Sequence, residues 1–195
     1  MKKNEILNIA NQNNGYIYSD IIKKYNIPTI SITRMVNDGI LKRVDRGIYI
    51  SDLGVVDDLF IYSIKYSRIV YSGETSLFLN GLSNKQCPIY EFTIPYGTNA
   101  PKIDGFNIKY DRTDNFNLGI SKIKTPFGNI VRAYDKERCI CDLFLRSDYY
   151  DYEDRVYAIN VYTKHYLNYK KLYSYAKKLN VYEEVKNVFE VIGWN

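Results

Sequence analysis

The sequence predicts an α+β fold in two parts, a small domain at residues 1–50 and a larger one at residues 55–195. Three observations support this prediction. Apolar residues recur at helical spacing within the first forty positions, and two short strand-like segments follow them. Helical patterns and strand-like segments separated by Gly, Pro, Asn and Asp turns fill the remainder. The short polar stretch 51–54 lies between the two parts and predicts the domain boundary.

The first domain contains three predicted helices. The first covers residues 4–13 and ends at an Asn-Asn-Gly stretch, because Asn and Gly accept left-handed backbone angles. A second helix is expected to be capped by Ser19, and a turn at residues 26–28 follows it. The third helix covers residues 30–38. Its core-facing residues are Ile32, Met35 and Val36, and its expected cap is Thr29 or Ser31.

A basic hairpin closes this domain. Residues 41–44 and 48–50 are predicted strands around the loop Asp45-Arg46-Gly47, and the imperfect alternation along them predicts a bulge. A short extended segment at residues 16–18 precedes the second helix. The order helix, strand, helix, turn, helix and basic hairpin is typical of a winged helix-turn-helix, whose recognition helix enters the major groove of DNA.

Positive charge is concentrated in this first domain. Residues 1–50 hold eight Lys or Arg and four Asp or Glu, whereas the other 145 residues hold 19 and 18. A phosphate backbone attracts such an excess, and polar side chains on the outer face of the third helix can hydrogen-bond to base edges. The alternative is a winged helix used for protein contacts, but the outer face of the third helix is almost free of acid, which favours DNA. The predicted DNA-contact residues are Ser19, Lys23, Lys24, Thr29, Ser31, Thr33, Arg34, Asn37, Lys42, Arg43 and Arg46.

The second domain is predicted to hold a small, mostly antiparallel sheet with helices packed on it. Antiparallel pairing is expected because short turns separate the strand-like segments. The predicted strands are residues 68–71, 90–95, 106–111, 120–124 and 129–134. The predicted helices are residues 55–66, 72–81, 135–147, 152–165, 169–179 and 183–192.

The sequence offers no support for catalysis or for a cofactor. The cysteines Cys87, Cys139 and Cys141 and the single histidine, His165, are too few and too scattered for a zinc site, and a disulfide between Cys139 and Cys141 is not expected on a helix. No glycine-rich phosphate-binding motif occurs. The acidic residues at 148–154 are interpreted as a helix start, where the helix dipole favours them. We therefore expect a protein that is not an enzyme and that binds no metal or cofactor.

Two stretches resemble a known family. Residues 27–49 read IPTISITRMVNDGILKRVDRGIY, and residues 133–143 read AYDKERCICDL. Both resemble AbiEi-type antitoxins, which are transcriptional regulators of type IV toxin–antitoxin systems that act in abortive infection and phage resistance. The resemblance implies that the first domain represses its own operon by binding repeats in the promoter. It also implies that the second domain opposes a nucleotidyltransferase-like toxin encoded beside it.

The expected partners follow from these observations. They are double-stranded DNA at the protein's own promoter, with inverted repeats, and a cognate toxin, either by direct contact or without it. Basic residues on the predicted strands are candidates for an antitoxin surface, although a solvated sheet face would look the same: Lys102, Lys109, Arg112, Lys122 and Lys124. The alternative function is a one-component regulator or a DNA-targeted enzyme, with a ligand-binding or nuclease second domain. No membrane span or signal peptide is recognised, so a cytoplasmic location is expected.

Overall fold

The computed structural model describes residues 1–85, 87, 89–99, 106–111 and 113–192, and for 106–111, 113–114 and 192 it describes the backbone alone. The chain divides into two compact units. The first unit comprises Met1–Ser67 and Lys124–Ile130, and the second comprises Arg68–Ile123 and Val131–Asn195.

The first unit is built on a three-stranded antiparallel sheet in the order β1-β3-β2. The register of β2 against β3 shifts between Arg43 and Asp45, which confirms the predicted bulge. The predicted helices and strands of the first fifty residues are all present, with ends that differ by a residue or two. In chain order the elements are α1 (Lys3–Gln12), β1 (Tyr16–Tyr18), α2 (Ser19–Lys24), α3 (Thr29–Asn37), β2 (Leu41–Asp45), β3 (Ile48–Ser51) and α4 (Asp58–Lys65).

Apolar residues at helical spacing explain why α1, α2 and α3 pack together. Ile6, Ile9 and Ala10 of α1 are buried against the apolar faces of the two following helices. Burying one isoleucine side chain stabilises the fold by about 1.5–3 kcal/mol. This cluster therefore stabilises the packing of the three helices on one another. The members contributed by α2, the turn, α3 and β2 are Ile21, Ile27, Ile32, Met35 and Leu41.

The first unit extends beyond the predicted boundary at 51–54, because α4 packs on its sheet. Tyr16 is fully buried, and its hydroxyl donates a hydrogen bond to the carbonyl of Val55 at 2.8 Å. The same hydroxyl accepts one from the backbone N–H of Asp57 at 2.9 Å. The ring of Phe60 meets the Tyr16 ring edge-on at 4.9 Å between centroids. The unit is thus larger than the predicted domain of residues 1–50.

The segment Lys124–Ile130 joins the first unit through the carboxylate of Asp57. This carboxylate is buried and accepts hydrogen bonds from Thr125 Oγ1 at 2.6 Å and from Asn129 Nδ2 at 2.8 Å. It also caps α4 by accepting from the backbone N–H of Phe60 at 3.2 Å. Asp57 and its partners lie about seventy positions apart in the chain, so local patterns give no sign of these contacts.

The second unit contains a five-stranded sheet in the order β6-β5-β4-β8-β7. The prediction of a mostly antiparallel sheet is confirmed only in part, since β4 pairs antiparallel with β5 but parallel with β8, and β5 pairs parallel with β6. Turn signals indicate the lengths of the connections but not which strands are neighbours. In chain order the elements are β4 (Val70–Tyr71), α5 (Gly73–Leu79), β5 (Tyr90–Pro95), β6 (Phe106–Asp111), α6 (Thr113–Asn117), β7 (Ile120–Lys124), β8 (Ile130–Tyr134), α7 (Lys136–Leu145), α8 (Tyr152–His165), α9 (Tyr169–Lys178) and α10 (Tyr182–Ile192).

Helix α7 lies at the centre of the second unit's core. Asp135 caps it as predicted, by accepting a hydrogen bond from the N–H of Arg138 at 2.9 Å. Cys139 and Cys141 are buried free thiols, and burial raises the pKa of both, so they act as small apolar side chains. Among the described helices, none has both the length and the apolar run that a bilayer crossing requires.

Candidate nucleic-acid interface

Helix α3 has one buried face and one exposed face. Ile32 and Met35 are buried, and the side chains opposite them are exposed. The exposed residues are spaced i, i+3, i+4 and i+7 and therefore form one stripe along the helix, which we call the α3 stripe. Its members are Ile30, Thr33, Arg34 and Asn37.

Two predicted caps take different positions in the structure. Ser19 and Thr29 are the first helical residues of α2 and α3, whereas Tyr18 and Pro28 occupy the N-cap positions without a capping side-chain hydrogen bond. Pro28 has the extended backbone angles of an N-cap residue, so it starts the helix by conformation rather than by a hydrogen bond. Ser31 is half-buried at the side of the α3 stripe rather than within it.

The polar groups of the α3 stripe are largely free to bind. Arg34 and Asn37 make no side-chain hydrogen bond or ion pair with any residue that the structure describes. Thr33 Oγ1 donates to the carbonyl of Thr29 at 3.1 Å, which leaves its oxygen lone pairs available as acceptors. From its N-terminal end, the stripe therefore presents a hydroxyl, a guanidinium and an amide along one helix face.

The β2–β3 hairpin adds positive charge. Lys42 and Arg43 are exposed on β2, and Arg46 is exposed in the turn beside Gly47, whose φ of +73° suits a glycine. Arg43 Nε donates to the carbonyl of Asp45 at 3.3 Å, which holds the guanidinium along the hairpin. Three cations are thus presented within five residues of the chain.

The one acid of this hairpin is neutralised by α4. Lys65 Nζ lies 2.7 Å from Asp45 Oδ2, and both side chains are about 30% exposed. The hydrogen bond from Lys65 lowers the pKa of Asp45, and the same bond raises the pKa of Lys65. Because the pair is charged at neutral pH and internally compensated, the net charge of the hairpin is set by Lys42, Arg43 and Arg46.

The structure exposes ten of the eleven predicted DNA-contact residues and leaves Ser31 half-buried. Within the described ranges, five of the basic residues have no ion-pair partner: Lys23, Lys24, Arg34, Lys42 and Arg46. The ammonium group of Lys24 lies 5.1 Å from the centroid of the Tyr25 ring. The ten exposed residues are Ser19, Lys23 and Lys24 on α2, Thr29, Thr33, Arg34 and Asn37 on α3, and Lys42, Arg43 and Arg46 on the hairpin.

The predicted antitoxin surface is only partly described. Lys122 and Lys124 are exposed and two positions apart on β7, so they share one face of that strand. Lys102 and Arg112 lie outside the described residues, and so does the side chain of Lys109.

The acidic stretch at residues 148–154 surrounds the start of α8. Asp154 pairs with Lys85 at 2.7 Å, Glu153 is in the first turn of α8, and Asp151 is at its N-cap position. This arrangement matches the interpretation of the stretch as a helix start. The described residues contain no group of three or more His, Cys, Asp or Glu side chains placed to hold a metal ion.

Two residues of this surface were missed from the sequence. Ile30 is 59% exposed on the α3 stripe, although its apolar type suggests a core position. Lys65 neutralises Asp45 across twenty positions of the chain, a separation at which no local pattern links them. The only available signal for Ile30 was its helical angle, which places it opposite Ile32 and Met35.

Comparison with known proteins shows a likeness of fold to a solved structure. No family model matches the chain, and no curated protein does. The crystal structure of the RV2827C protein from Mycobacterium tuberculosis has a similar fold, with a TM-score of 0.54 over 87% of this chain and 69% of that chain. The two sequences are 10% identical, so the likeness is one of fold alone.

Proposed function

We propose that the first unit is a winged helix-turn-helix that binds double-stranded DNA, and that the protein is a transcriptional autorepressor and antitoxin. The observation that supports DNA binding best is the α3 stripe, where Arg34 and Asn37 are exposed and unpaired within the described part of the chain. In this proposal α2 and α3 form the helix-turn-helix, and the β2–β3 hairpin is the wing.

The two groups of polar residues have different tasks in this proposal. On a helix within the major groove, Arg34 can donate two hydrogen bonds to a guanine, and Asn37 can pair with an adenine edge. Lys23, Lys42 and Arg43 are at the margins and neutralise phosphates, which adds affinity without sequence preference. Because Lys65 compensates Asp45, the wing presents no uncompensated acid to the phosphates.

The antitoxin half of the proposal is supported by the resemblance of residues 27–49 and 133–143 to AbiEi-type antitoxins. In that scheme the second unit counteracts a nucleotidyltransferase-like toxin encoded beside this protein. The described candidates for contact with the toxin are two exposed side chains of β7, Lys122 in the second unit and Lys124, the first residue of the segment that belongs to the first unit.

DNA binding is tested by titrating the full-length protein against its upstream DNA and against random duplex. We expect Arg34→Ala to weaken promoter binding far more than random binding, since one bidentate base contact is worth about 1–3 kcal/mol of discrimination. Lys42→Ala should weaken both equally and reduce the slope of log K against log salt by about 0.9. The matched control, Lys178→Ala on α9, removes an exposed lysine of the second unit and should change neither. Wild-type protein that binds neither duplex would refute the proposal.

The antitoxin role is tested by co-expression with the neighbouring toxin. A full-length variant carrying Arg34→Ala and Lys42→Ala should lose promoter repression and still rescue growth, because those residues lie on α3 and β2 and not on β7, which carries the candidate antitoxin lysines. Lys122→Glu with Lys124→Glu should retain repression and lose rescue. Full rescue by the Lys122→Glu, Lys124→Glu variant would show that these two lysines are not part of the antitoxin surface.

A further inference from the structure

The α3 stripe contains one apolar side chain among polar ones. Ile30 is 59% exposed, and Thr33, Arg34 and Asn37 follow it on the same face. Single exposed apolar residues are common on protein surfaces. Ile30 differs from them by its place at the N-terminal end of a stripe that is otherwise made of hydrogen-bonding groups.

We propose that Ile30 is a specificity-determining residue that packs against the 5-methyl group of a thymine in the operator. The inference rests on the proposed DNA-binding function and names a base that the protein selects. Thymine's methyl group is the one apolar feature on the major-groove edges of the four base pairs, so an isoleucine has a single kind of partner there.

Its position in the helix supports a base contact rather than a phosphate contact. Ile30 is the second residue of α3, and recognition helices in helix-turn-helix proteins contact base edges with their N-terminal residues. The buried face of α3, with Ile32 and Met35, is directed to the core, so the Ile30 side chain points away from the protein. An isoleucine cannot bond to a phosphate, and only burial against another apolar group removes its exposed surface from water.

The spacing of Ile30 and Arg34 predicts where the thymine lies. The two residues are one helical turn apart, which is roughly 6 Å along the helix axis. Base pairs are stacked about 3.4 Å apart. The thymine is therefore expected within about two base-pair steps of the guanine that Arg34 contacts.

Deoxyuracil tests the contact because it differs from thymine only by the missing methyl group. Each thymine of the operator is replaced singly by deoxyuracil, and the Kd of the full-length protein is measured by fluorescence anisotropy. We expect one replacement, near the Arg34 guanine, to weaken wild-type binding about fourfold, which is the value for burial of one methylene-sized group. Ile30→Ala should bind the natural operator with a similar loss and should be insensitive to deoxyuracil at that position.

A second exposed apolar residue of the first unit provides the control. Leu53 is 75% exposed in the loop after β3, and Leu53→Ala should retain the full sensitivity to deoxyuracil. If Ile30→Ala stays as sensitive as the wild type, or if no replacement weakens specific binding, this inference is overturned while the proposed function stands. If the wild type does not prefer its promoter over random duplex, the proposed function and this inference both fail. Thermal unfolding of Ile30→Ala should match the wild type, since the side chain is 59% exposed and is not a member of the described core cluster of the three helices.

Discussion

The hydroxyl group of Tyr16 joins the sheet of the first unit to the segment that leads into α4. That hydroxyl donates to the carbonyl of Val55 and accepts from the N–H of Asp57, at 2.8 and 2.9 Å. Tyr16→Phe removes both hydrogen bonds and leaves the ring in place against Phe60. The substitution therefore isolates the two bonds from the packing.

The expected loss follows from the burial of the two partners. Asp57 is 1% exposed, so its N–H would be left without a partner in a site closed to water, at a cost of about 1–3 kcal/mol. The bond to Val55 is only part-buried, in a residue that is 54% exposed, so we expect water to replace the lost donor at this carbonyl. We therefore expect Tyr16→Phe to lower the free energy of unfolding by about 2 kcal/mol, nearly all of it from the Asp57 amide.

Urea unfolding followed by circular dichroism measures this loss. Tyr49→Phe on β3 is the matched control, because Tyr49 is half-buried in the same sheet and its hydroxyl bonds to no described residue. The control should change the free energy of unfolding by less than about 0.5 kcal/mol. Equal losses for the two variants would refute the reasoning, since they would show that the Tyr16 hydroxyl contributes no more than an unbonded one.

Three further predictions concern the second unit. Gly73→Ala should destabilise the protein more than Gly81→Ala. Both glycines have positive φ, but only at Gly73 would the new Cβ meet a buried carboxylate, that of Glu91. Equal losses of stability would mean that the carboxylate moves aside. Asp142→Ala should lower the free energy of unfolding by about 3–5 kcal/mol, because it leaves the buried Arg138 guanidinium without its 2.9 Å ion-pair partner. Adding Arg138→Met should recover part of that loss. A further loss of similar size in the double variant would contradict the argument. Raising the pH above about 10 should destabilise the protein. Burial raises the pKa of Tyr162 in the folded state, so the Tyr162 hydroxyl loses its proton at a lower pH in the unfolded chain, which favours unfolding. Tyr162→Phe should flatten that pH dependence of the urea midpoint, and an unchanged slope would assign it to other groups.

Local patterns predicted the first fifty residues well and the larger assembly less well. Helices α1 to α3 could be predicted because the apolar residues of each buried face recur at helical spacing within a few positions of the chain. The attachment of α4 could not, because it depends on Tyr16 and Thr125, which are about forty and seventy positions from their partners at Val55 and Asp57. The order of the five strands was missed for the same reason, since β4 takes β8 as a parallel neighbour.

Buried charge was equally hard to predict. Arg138 is fully buried in α7, where its guanidinium pairs with Asp142 and lies 4.3 Å from the centroid of the Tyr134 ring. It also donates to the carbonyls of Asn115 and Leu118. A helical pattern assigns an arginine to the solvent face. Its burial is favourable because Asp142 of the same helix and two carbonyls from twenty or more positions away accept its hydrogen bonds.

The exposed residues of the candidate site were easier to predict than the buried contacts. Its polar members could be predicted because a surface residue needs no distant partner, and the exposed face of α3 follows from the position of its buried face. Ile30 was not among the predicted contacts, because the DNA-contact residues were predicted from charged and hydrogen-bonding side chains and isoleucine is neither.

The residues proposed to bind DNA are separate from those that hold the first unit together. Arg34, Asn37 and Lys42 make no side-chain hydrogen bond or ion pair within the described part of the chain, so replacing them removes no contact that stabilises the fold. Tyr16 and Asp57, by contrast, are buried and make several hydrogen bonds. Substitutions in the first group should therefore change DNA affinity at constant stability. Tyr16→Phe should lower stability and leave the affinity of the remaining folded protein unchanged, because its hydroxyl lies on the α4 side of the sheet and the α3 stripe keeps its geometry.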